Sequence, residues 1–299
     1  MKEKLDSWKK KFQAISRDYG KVIVVGLLIL ICIGLACVLS SLTTPGKLRI
    51  SFLDIGQGDS IFIQTPSGHT MIVDGGPTDH VLERLSRTTN YFMHDIDVMV
   101  ATHPDADHIT GLIPVLEKYD VHTIVVSGSE GRTAVFADLN NHIDGEHADV
   151  HIANAGDVID FHDGVTAKIL HPYTGEHFKD TNDASVSMVV TYGGETFLLT
   201  GDLPGTREPL LTTNGLPKNI TVYKAGHHGS KFSSGEQLLT YIRPEYAVIS
   251  AGKDNRYGHP NPETITRLQK YAKEIISTID RGTISFVTDG RTMGVETDR

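Results

Sequence analysis

The apolar residues are distributed differently in two parts of the chain. From Val22 to Leu39 every residue is apolar or glycine, and Ser40-Ser41-Leu42 extends the run to about the length that spans a bilayer core. We therefore predict a transmembrane helix over residues 22–42. Lysine and arginine are concentrated in residues 1–21, so the positive-inside bias predicts a cytoplasmic N-terminus and a cell-membrane protein with its main domain outside the cytoplasm. A cleaved signal peptide is the alternative, disfavoured by the long basic segment.

Beyond a short linker, residues 43–47, the pattern changes to short elements typical of an α/β domain. Residues 48–53, 60–65 and 70–74 are predicted as strands of an antiparallel meander. Later segments alternate between the apolar spacing of helices and that of strands, and residues 128–165 have no clear pattern. We expect residues 48–299 to form one α/β domain. The remaining predicted helices are 81–86, 109–119, 236–242 and 263–272, and the remaining strands are 121–127, 167–170, 185–192, 196–200, 246–250 and 284–288.

Charge and cysteine content restrict the partners of this domain. The net charge of the chain is −9, of which residues 1–46 contribute +4 and residues 47–299 contribute −13. A strong nucleic-acid binder usually carries a basic surface, and the sequence contains no basic stripe with interleaved aromatic residues. Both cysteines, Cys32 and Cys37, lie in the predicted membrane segment. The domain therefore offers no thiolate ligand and no disulfide.

Four metal-ligand side chains occur within six residues after the apolar run Val98-Met99-Val100-Ala101. They are His103, Asp105, Asp107 and His108. Such groups at the end of a buried strand resist desolvation unless a divalent cation accepts their lone pairs. An ordinary acidic surface turn is the alternative. The mixture of imidazole and carboxylate suits Zn, Mn or Fe rather than a thiolate-rich structural zinc site.

Three more polar clusters follow apolar runs elsewhere in the sequence. Asp74 precedes Gly75-Gly76, Asp202 follows Gly201, and His227-His228 precede Gly229. Strand ends hold ligands rigidly, and adjacent glycines let the backbone approach closely. The clusters therefore indicate one polar site built from several strands.

These segments together resemble the metallo-β-lactamase superfamily. More narrowly, they are similar to the hydrolase domain of ComEC-type competence proteins. The resemblance rests on residues 53–60, 103–108, 199–202 and 227–230. It implies an αββα sandwich with metal ions at one edge, here preceded by the predicted transmembrane helix.

The resemblance also implies roles for the polar residues around one or two divalent ions, Zn or Mn. His103 and Asp105 would bind the first ion, and Asp202 would bridge to a second. Asp105 stands where the superfamily usually has histidine, and this harder ligand favours manganese. The second ion would be bound by Asp107, His108 and His228. Asp107, Asp202 and His227 are the residues assigned to catalysis.

The resemblance implies less specific roles for several other residues. Asp74 is expected to orient a ligand histidine. No histidine occupies the middle ligand position, where Asn182 stands with His171 as a nearby alternative. His227 would contact the phosphate or protonate the leaving oxygen, or be a histidine that simply bonds to backbone. Candidate substrate-binding or outer-sphere residues are Asp74, Asn182, Ser230, Lys231 and His259.

The implied function is a membrane-anchored, extracytoplasmic, metal-dependent phosphodiesterase or nuclease, with single-stranded DNA as the candidate substrate. Two alternatives stay open. One is a hydrolase of small or cell-envelope phosphoesters, because the motifs also resemble secreted phosphorylcholine esterases. The other is a non-catalytic membrane-tethered binding module. Basic residues around the site would favour DNA, and a deep aromatic pocket would favour the small phosphoesters.

Overall fold

The computed structural model describes residues 1, 4–10, 19, 24–35, 46–89 and 93–299. The chain divides into two units, Met1–Pro45 and Gly46–Arg299. In the first unit, residues 4–10 and 24–35 are helical. Much of the predicted cytoplasmic segment, membrane helix and linker, including Cys37, lies outside the described residues. Within the described ones, no helix combines the length and apolar character needed to cross a bilayer.

The second unit contains two β-sheets, and each sheet has both parallel and antiparallel strand pairs. The first sheet has eight strands and the second has seven. In spatial order, the first contains β15 (Met293–Thr297), β14 (Ile284–Thr288), β1 (Leu48–Phe52), β2 (Ile61–Gln64), β3 (Thr70–Val73), β4 (Asp95–Ala101), β5 (Asp120–Val126) and β6 (Asp149–Ile152). The second contains β13 (Glu274–Ser277), β12 (Tyr246–Ile249), β11 (Val222–Lys224), β10 (Glu195–Leu199), β9 (Ser187–Tyr192), β8 (Val165–His171) and β7 (Val158–Asp160).

The helices are short, and two of them begin at clear sequence signals. Asn261 accepts a hydrogen bond from the Glu263 backbone N–H just before Pro262, which is a favourable first helical residue. Thr133 accepts similarly from Phe136 N. The helices are α1 (His80–Thr88), α2 (Ala106–Ile109), α3 (Leu112–Lys118), α4 (Ala134–Gly145), α5 (Glu208–Thr213), α6 (Glu236–Ile242), α7 (Pro262–Tyr271) and α8 (Thr278–Arg281), with 3-10 turns at Asn182–Ala184 and Gly226–Gly229.

Strand periodicity creates three apolar layers. On β3, Met71 and Val73 face a central core that contains residues of both sheets, while Ile72 faces a second core shared with helices α1, α3 and α4. The outer face of the second sheet packs against α5, α6 and α7 through residues such as Leu211 and Leu239. Helices therefore cover the outside of two face-to-face sheets, which confirms the predicted αββα sandwich.

Parallel pairing brings the predicted ligands to one edge. Strands β3, β4, β5 and β6 are parallel, as are β10, β11, β12 and β13. Polar residues at the carboxyl ends of such strands meet along the same border of a sheet. Asp74 follows β3, His103 follows β4, Asp202 follows β10 and His228 follows β11. The topology thus places the four clusters together although they are far apart in sequence.

Candidate metal centre

Three buried side chains meet at the centre of the site. The Nε2 atoms of His108 and His228 lie 3.3 Å apart. The Oδ2 atom of Asp202 lies 3.3 Å from His108 Nε2 and 3.4 Å from His228 Nε2. Nitrogen and oxygen ligands about 2.0–2.1 Å from one tetrahedral cation are separated by roughly 3.4 Å. The spacing of these three atoms therefore fits a shared divalent cation.

Hydrogen bonds on the far side of each ring fix which nitrogen faces the centre. His108 Nδ1 lies 2.7 Å from Asp74 Oδ2, and His228 Nδ1 lies 3.1 Å from the Ser250 carbonyl oxygen. Both Nδ1 atoms must carry a proton to donate to these acceptors, so in the neutral form of each ring, which is the form that binds a metal, the Nε2 lone pair points into the centre. Two N–H groups cannot share a gap of 3.3 Å. A cation between the two nitrogens removes this repulsion.

Asp74, predicted from the sequence to orient a ligand histidine, is itself fixed by hydrogen bonds. It is fully buried, and it accepts hydrogen bonds from Thr102 N at 2.8 Å and Thr102 Oγ1 at 2.7 Å. These bonds leave the carboxylate oriented toward His108. Asp74 therefore contacts a ligand histidine rather than the centre itself.

Unusual backbone conformations direct three of the site residues. Asp74, His227 and His228 all adopt positive φ angles, of 59°, 50° and 54°. Left-handed conformations of residues other than glycine cost of the order of 1 kcal/mol each and persist only where the surrounding structure enforces them. The strain allows His227 and His228, which are adjacent in sequence, both to approach Asp202.

Gly58 permits the loop between β1 and β2 to pass close to the ligand loop. Its φ angle is 124°, and a Cβ atom there would lie 2.1 Å from the Asp107 carbonyl oxygen. Any other residue would push the two loops apart. The glycine thus allows Asp59, next in sequence, to reach the site.

Burial and neighbouring carboxylates act in opposite directions on the buried histidines of this cluster. Burial disfavours the imidazolium forms, yet Asp202 and the other nearby carboxylates hold the pKa values of His108 and His228 well above the usual value. Burial, together with His108, lowers the pKa of His103 to about 4. His103 Nε2 and Asp202 Oδ1 are buried and make no hydrogen bond. These unsatisfied acceptors fit a bound metal, which would accept both lone pairs.

The predicted first ion site is more open than the second. His103 Nε2 lies 3.8 Å from Asp105 Oδ2 and 4.0 Å from Asp202 Oδ2. The other oxygen of Asp105 accepts a 2.6 Å hydrogen bond from Thr181 Oγ1. Asn182 follows in the 3-10 turn, and its Oδ1 atom is buried without a hydrogen bond. The segment predicted to replace the missing histidine therefore contacts the site through Thr181.

His171, the other candidate for the middle position, is buried at the end of β8. Its Nδ1 atom lies 3.1 Å from the Ser185 carbonyl oxygen, and its Nε2 atom makes no hydrogen bond.

Asp107 and His227 border the centre from the solvent side. Asp107 Oδ2 lies 3.5 Å from His228 Nε2, and its side chain is 27% exposed. His227 Nε2 lies 3.5 Å from Asp202 Oδ2 with 28% of its side chain exposed. Both groups are thus accessible to a substrate while in contact with the buried ligands.

His259 completes this border. Its ring centroid lies 5.5 Å from that of His227. Partial burial and the nearby imidazoles of His227 and His228 lower its pKa, and its Nδ1 atom is buried without a hydrogen bond. At neutral pH His259 is therefore an uncharged imidazole beside the site.

Ser230 and Lys231 differ in their surroundings. Ser230 is buried, and its Oγ atom accepts a hydrogen bond from Phe232 N within the turn. Lys231 is exposed and its Nζ atom lies 4.9 Å from the centroid of the Phe232 ring. The structure therefore leaves Lys231 facing solvent, whereas the Ser230 hydroxyl stabilises the turn.

Two buried residues at the site were not assigned from the sequence. Asp59 and Lys224 form an ion pair of 2.5 Å in which both side chains are almost fully buried. Asp59 Oδ1 also lies 3.3 Å from His228 Nδ1. Burial alone would raise the pKa of Asp59, but Lys224 and His228 lower it to about 2.

One ligand atom from each of Asp59, His108, Asp202 and His228 lies within 4.8 Å of the others. Asp59 nevertheless contacts the Nδ1 side of His228, away from the cluster of Nε2 atoms, so we interpret it as a residue that positions the ring. The feature of the sequence that could have identified Asp59 is its position between Gly58 and a buried strand.

Comparison with known proteins agrees with this geometry. A family model described as the metallo-beta-lactamase superfamily matches residues 53–253. ComE operon protein 3 of Bacillus subtilis (strain 168) is 28% identical over 288 residues, which cover 90% of this chain and 36% of that protein. Competence protein ComA of Neisseria gonorrhoeae is 26% identical over 242 residues, covering 80% of this chain and 32% of that protein. The chain therefore spans about a third of the length of these relatives.

Among solved structures, CmlA, a diiron beta-hydroxylase from Streptomyces venezuelae, matches with a TM-score of 0.50 at 13% identity. The match covers 78% of this chain and 53% of that chain. At such low identity it supports the fold alone. The similarity to ComEC-type competence proteins, recognised from four short motifs, is confirmed by matches that extend over most of the chain.

Proposed function

The chain belongs to the metallo-beta-lactamase superfamily, and from this premise we propose that it is a metal-dependent phosphodiesterase that cleaves DNA. The observation that carries the proposal is the convergence of His108 Nε2, His228 Nε2 and Asp202 Oδ2 within 3.4 Å of one another. A divalent cation would be coordinated by all three of these atoms and would compensate the buried carboxylate charge. An abandoned site has no physical reason to keep them together.

The metal ions would be held by His103, Asp105, Asp107, His108, Asp202 and His228. Divalent cations there would lower the pKa of water and neutralise charge on a phosphodiester, and we propose manganese or zinc. His227 and His259 lie beside this centre, where they can donate hydrogen bonds to phosphate oxygens. Asp74 and Asp59 keep the ligand rings in their orientation.

Similarity to a protein named for competence supports DNA as the substrate. We also propose that residues 22–42 anchor the chain in the cell membrane with its hydrolase domain outside the cytoplasm. The basic residues before this segment support that orientation.

A small phosphoester such as phosphorylcholine fits the surroundings of the centre less well. A cavity of about 1010 Å³ adjoins Asp105 between two loops, and its lining includes the aromatic residues Tyr173 and Phe178. Binding of a choline group needs exposed ring faces. The Phe178 ring is already in contact with the Arg207 guanidinium, 5.1 Å from its centroid. Two aromatic residues, one of them already paired with a cation, are too few to enclose a choline group in an aromatic cage.

The proposal is tested by incubating the purified full chain with end-labelled single-stranded DNA and Mn²⁺. We expect degradation by the wild type, and none with EDTA or with Asp202→Ala. The variant excludes a contaminating nuclease because it differs from the wild type at one side chain. Intact DNA with the wild type, or equal cleavage by Asp202→Ala, would refute the proposed function.

A further inference from the structure

Two exposed aromatic side chains lie on loops that also carry histidines of the candidate metal centre. In the described part of the domain, the large apolar side chains exposed to solvent include three aromatic ones, Tyr173, Phe232 and Tyr257. Phe232 is 70% exposed and Tyr257 is 50% exposed. Phe232 lies four residues after His228, and Tyr257 lies two residues before His259. Both therefore extend from loops that carry histidines of the site.

Each ring is paired with a cationic side chain. Lys231 Nζ lies 4.9 Å from the Phe232 centroid, and Arg256 Cζ lies 4.9 Å from the Tyr257 centroid. The Tyr257 ring is also stacked on His259, with centroids 6.0 Å apart and an interplanar angle of 15°. Two short loops, distant in sequence, thus each supply a basic residue next to an aromatic residue.

Hydrogen bonds to its backbone fix the loop that carries Phe232. Arg267 donates hydrogen bonds to the carbonyl oxygens of Lys231 at 3.1 Å and Ser233 at 3.0 Å. The Phe232 carbonyl oxygen accepts another from Gly205 N at 2.8 Å. Three successive carbonyl oxygens of this turn are therefore hydrogen-bonded while the Phe232 ring remains in solvent.

The loop that carries Tyr257 is fixed in the same manner. Asn255 Oδ1 accepts hydrogen bonds from Tyr257 N at 3.1 Å and His259 N at 3.0 Å. The two loops are joined where Asn261 N donates to the Gly229 carbonyl oxygen at 2.9 Å. Rings presented by a rigid backbone lose little conformational entropy on binding a ligand.

We propose that Phe232 and Tyr257, together with Lys231 and Arg256, form a platform that stacks bases of single-stranded nucleic acid beside the metal centre. This inference rests on the proposed function, which it deepens by naming the substrate form. Unpaired bases present free ring faces, and neighbouring phosphates attract the two cations. Residues 47–299 carry a net charge of −13, so binding of an anionic strand needs a local basic patch. Lys231 and Arg256 would provide such a patch on these two loops.

The first experiment measures binding without cleavage. Fluorescence anisotropy of a fluorescein-labelled oligothymidylate is followed with the full chain in EDTA. We expect Phe232→Ala and Tyr257→Ala each to weaken binding by roughly 5- to 100-fold, the range for loss of one base–aromatic stack. Phe232→Trp should restore binding, because tryptophan also stacks. Val295→Ala, which removes an exposed apolar side chain on β15, is the matched control.

The second experiment separates bases from phosphates. An abasic oligomer of the same length should bind wild type and Phe232→Ala alike, because it has nothing to stack. Lys231→Gln should reduce the slope of log affinity against log salt by about one. Wild-type affinity that is insensitive to both alanine changes, or equal affinity of the wild type for abasic and normal oligomers, would overturn the platform and would fit a surface for a protein partner instead.

Failure of the platform is distinguishable from failure of the proposed function. Cleavage of DNA under Mn²⁺ with equal rates for wild type, Phe232→Ala and Tyr257→Ala would refute the platform and leave the nuclease. Stacking-dependent binding in EDTA with no cleavage under Mn²⁺ would refute the nuclease and leave a nucleic-acid-binding surface.

Discussion

Strands β3 and β4 have histidine or aspartate residues near both ends, and β5 adds His122 near the amino end, yet the two ends differ in structure. At the carboxyl end, the side chains of His103 and His108 are fully buried. At the amino end, His69 and His122 have 46% and 58% of their side chains exposed. Both of the latter approach Asp97, with His69 Nδ1 at 3.3 Å and His122 Nδ1 at 4.0 Å from its Oδ1 atom.

The comparison teaches that residue types alone do not make a metal centre. At the carboxyl end each ligand ring is oriented by a hydrogen bond on its far nitrogen, as in His108 with Asp74. At the amino end Asp97 Oδ2 accepts hydrogen bonds from Thr70 N at 2.7 Å and from Thr70 Oγ1 at 3.2 Å. Water stabilises the exposed groups there, so they need no cation. Four predictions test this difference, in order of decreasing effect.

The largest effect is expected on catalysis. Asp107→Ala and Asp202→Ala should each reduce phosphodiester hydrolysis on the order of 1000-fold or more, because they remove charge that holds the cations. Asp97→Ala at the amino end should leave the rate within about twofold. Initial rates with a chromogenic phosphodiester measure all three. Activity retained by either carboxyl-end variant, with the fold verified by circular dichroism, would contradict the two-ion site.

Metal binding should stabilise the protein through the carboxyl end alone. With Mn²⁺ at about 100 times its dissociation constant, the free energy of unfolding should rise by roughly 3 kcal/mol relative to the metal-free protein. His108→Ala should abolish this gain, and His122→Ala should keep it. Thermal unfolding with and without EDTA provides the measurement. A gain that survives in His108→Ala but disappears in His122→Ala would place the cation at the wrong end of the sheet.

The buried Asp59–Lys224 pair should tune the site without contacting the cation. Asp59→Asn is expected to weaken metal binding by about 10- to 100-fold, as for other residues that orient a ligand. The single change also leaves Lys224 buried without its partner, which destabilises the fold by about 3–5 kcal/mol.

The double variant Asp59→Asn/Lys224→Met separates these effects. It should recover stability because no unpaired charge remains, but it should not recover metal affinity. Isothermal titration with Mn²⁺ and denaturant unfolding measure the two quantities. Full recovery of affinity together with stability would mean that Asp59 acts only in folding.

The smallest effect concerns Asp97 at the amino end. Burial alone would raise its pKa, but hydrogen bonds from Thr70 and His69 hold the pKa below the usual value. The stabilisation is therefore present above the unfolded pKa near 3.9 and is lost as the pH falls through the folded value. Asp97→Asn should cost less than about 1 kcal/mol at pH 7, because the group is partly exposed. The gap between wild type and variant should close below about pH 4 in urea unfolding.

The sequence predicted the fold well where strands are buried on alternate faces. The predicted strand 284–288 and helix 236–242 agree with β14 and α6. The predicted helix 109–119 is instead interrupted between α2 and α3, where Gly111 approaches Gly75. Residues 128–165 gave no pattern because β6 is an exposed edge strand and α4 buries only Leu139 and Ile143. Exposure removes the hydrophobic period on which such predictions depend.

The sequence indicated a single polar site at several strand ends, but not the contacts that orient its side chains. Aspartates and histidines after buried strands could be recognised because buried charges need a reason. The orienting role of Asp59 could not, since its contact with Lys224 and His228 joins three distant segments. The Phe232–Tyr257 platform was missed for the same reason, because its two halves lie in different loops.

The most direct test of the metal centre is the metal content of the purified full chain after equilibration with Mn²⁺ or Zn²⁺ and removal of free ions, measured by inductively coupled plasma mass spectrometry. We predict about one to two equivalents for the wild type and for a His69→Ala/His122→Ala control, and almost none for His108→Ala/His228→Ala. A wild type without bound metal, or equal metal in the His108→Ala/His228→Ala variant, would contradict the assignment of the carboxyl edge as a metal centre.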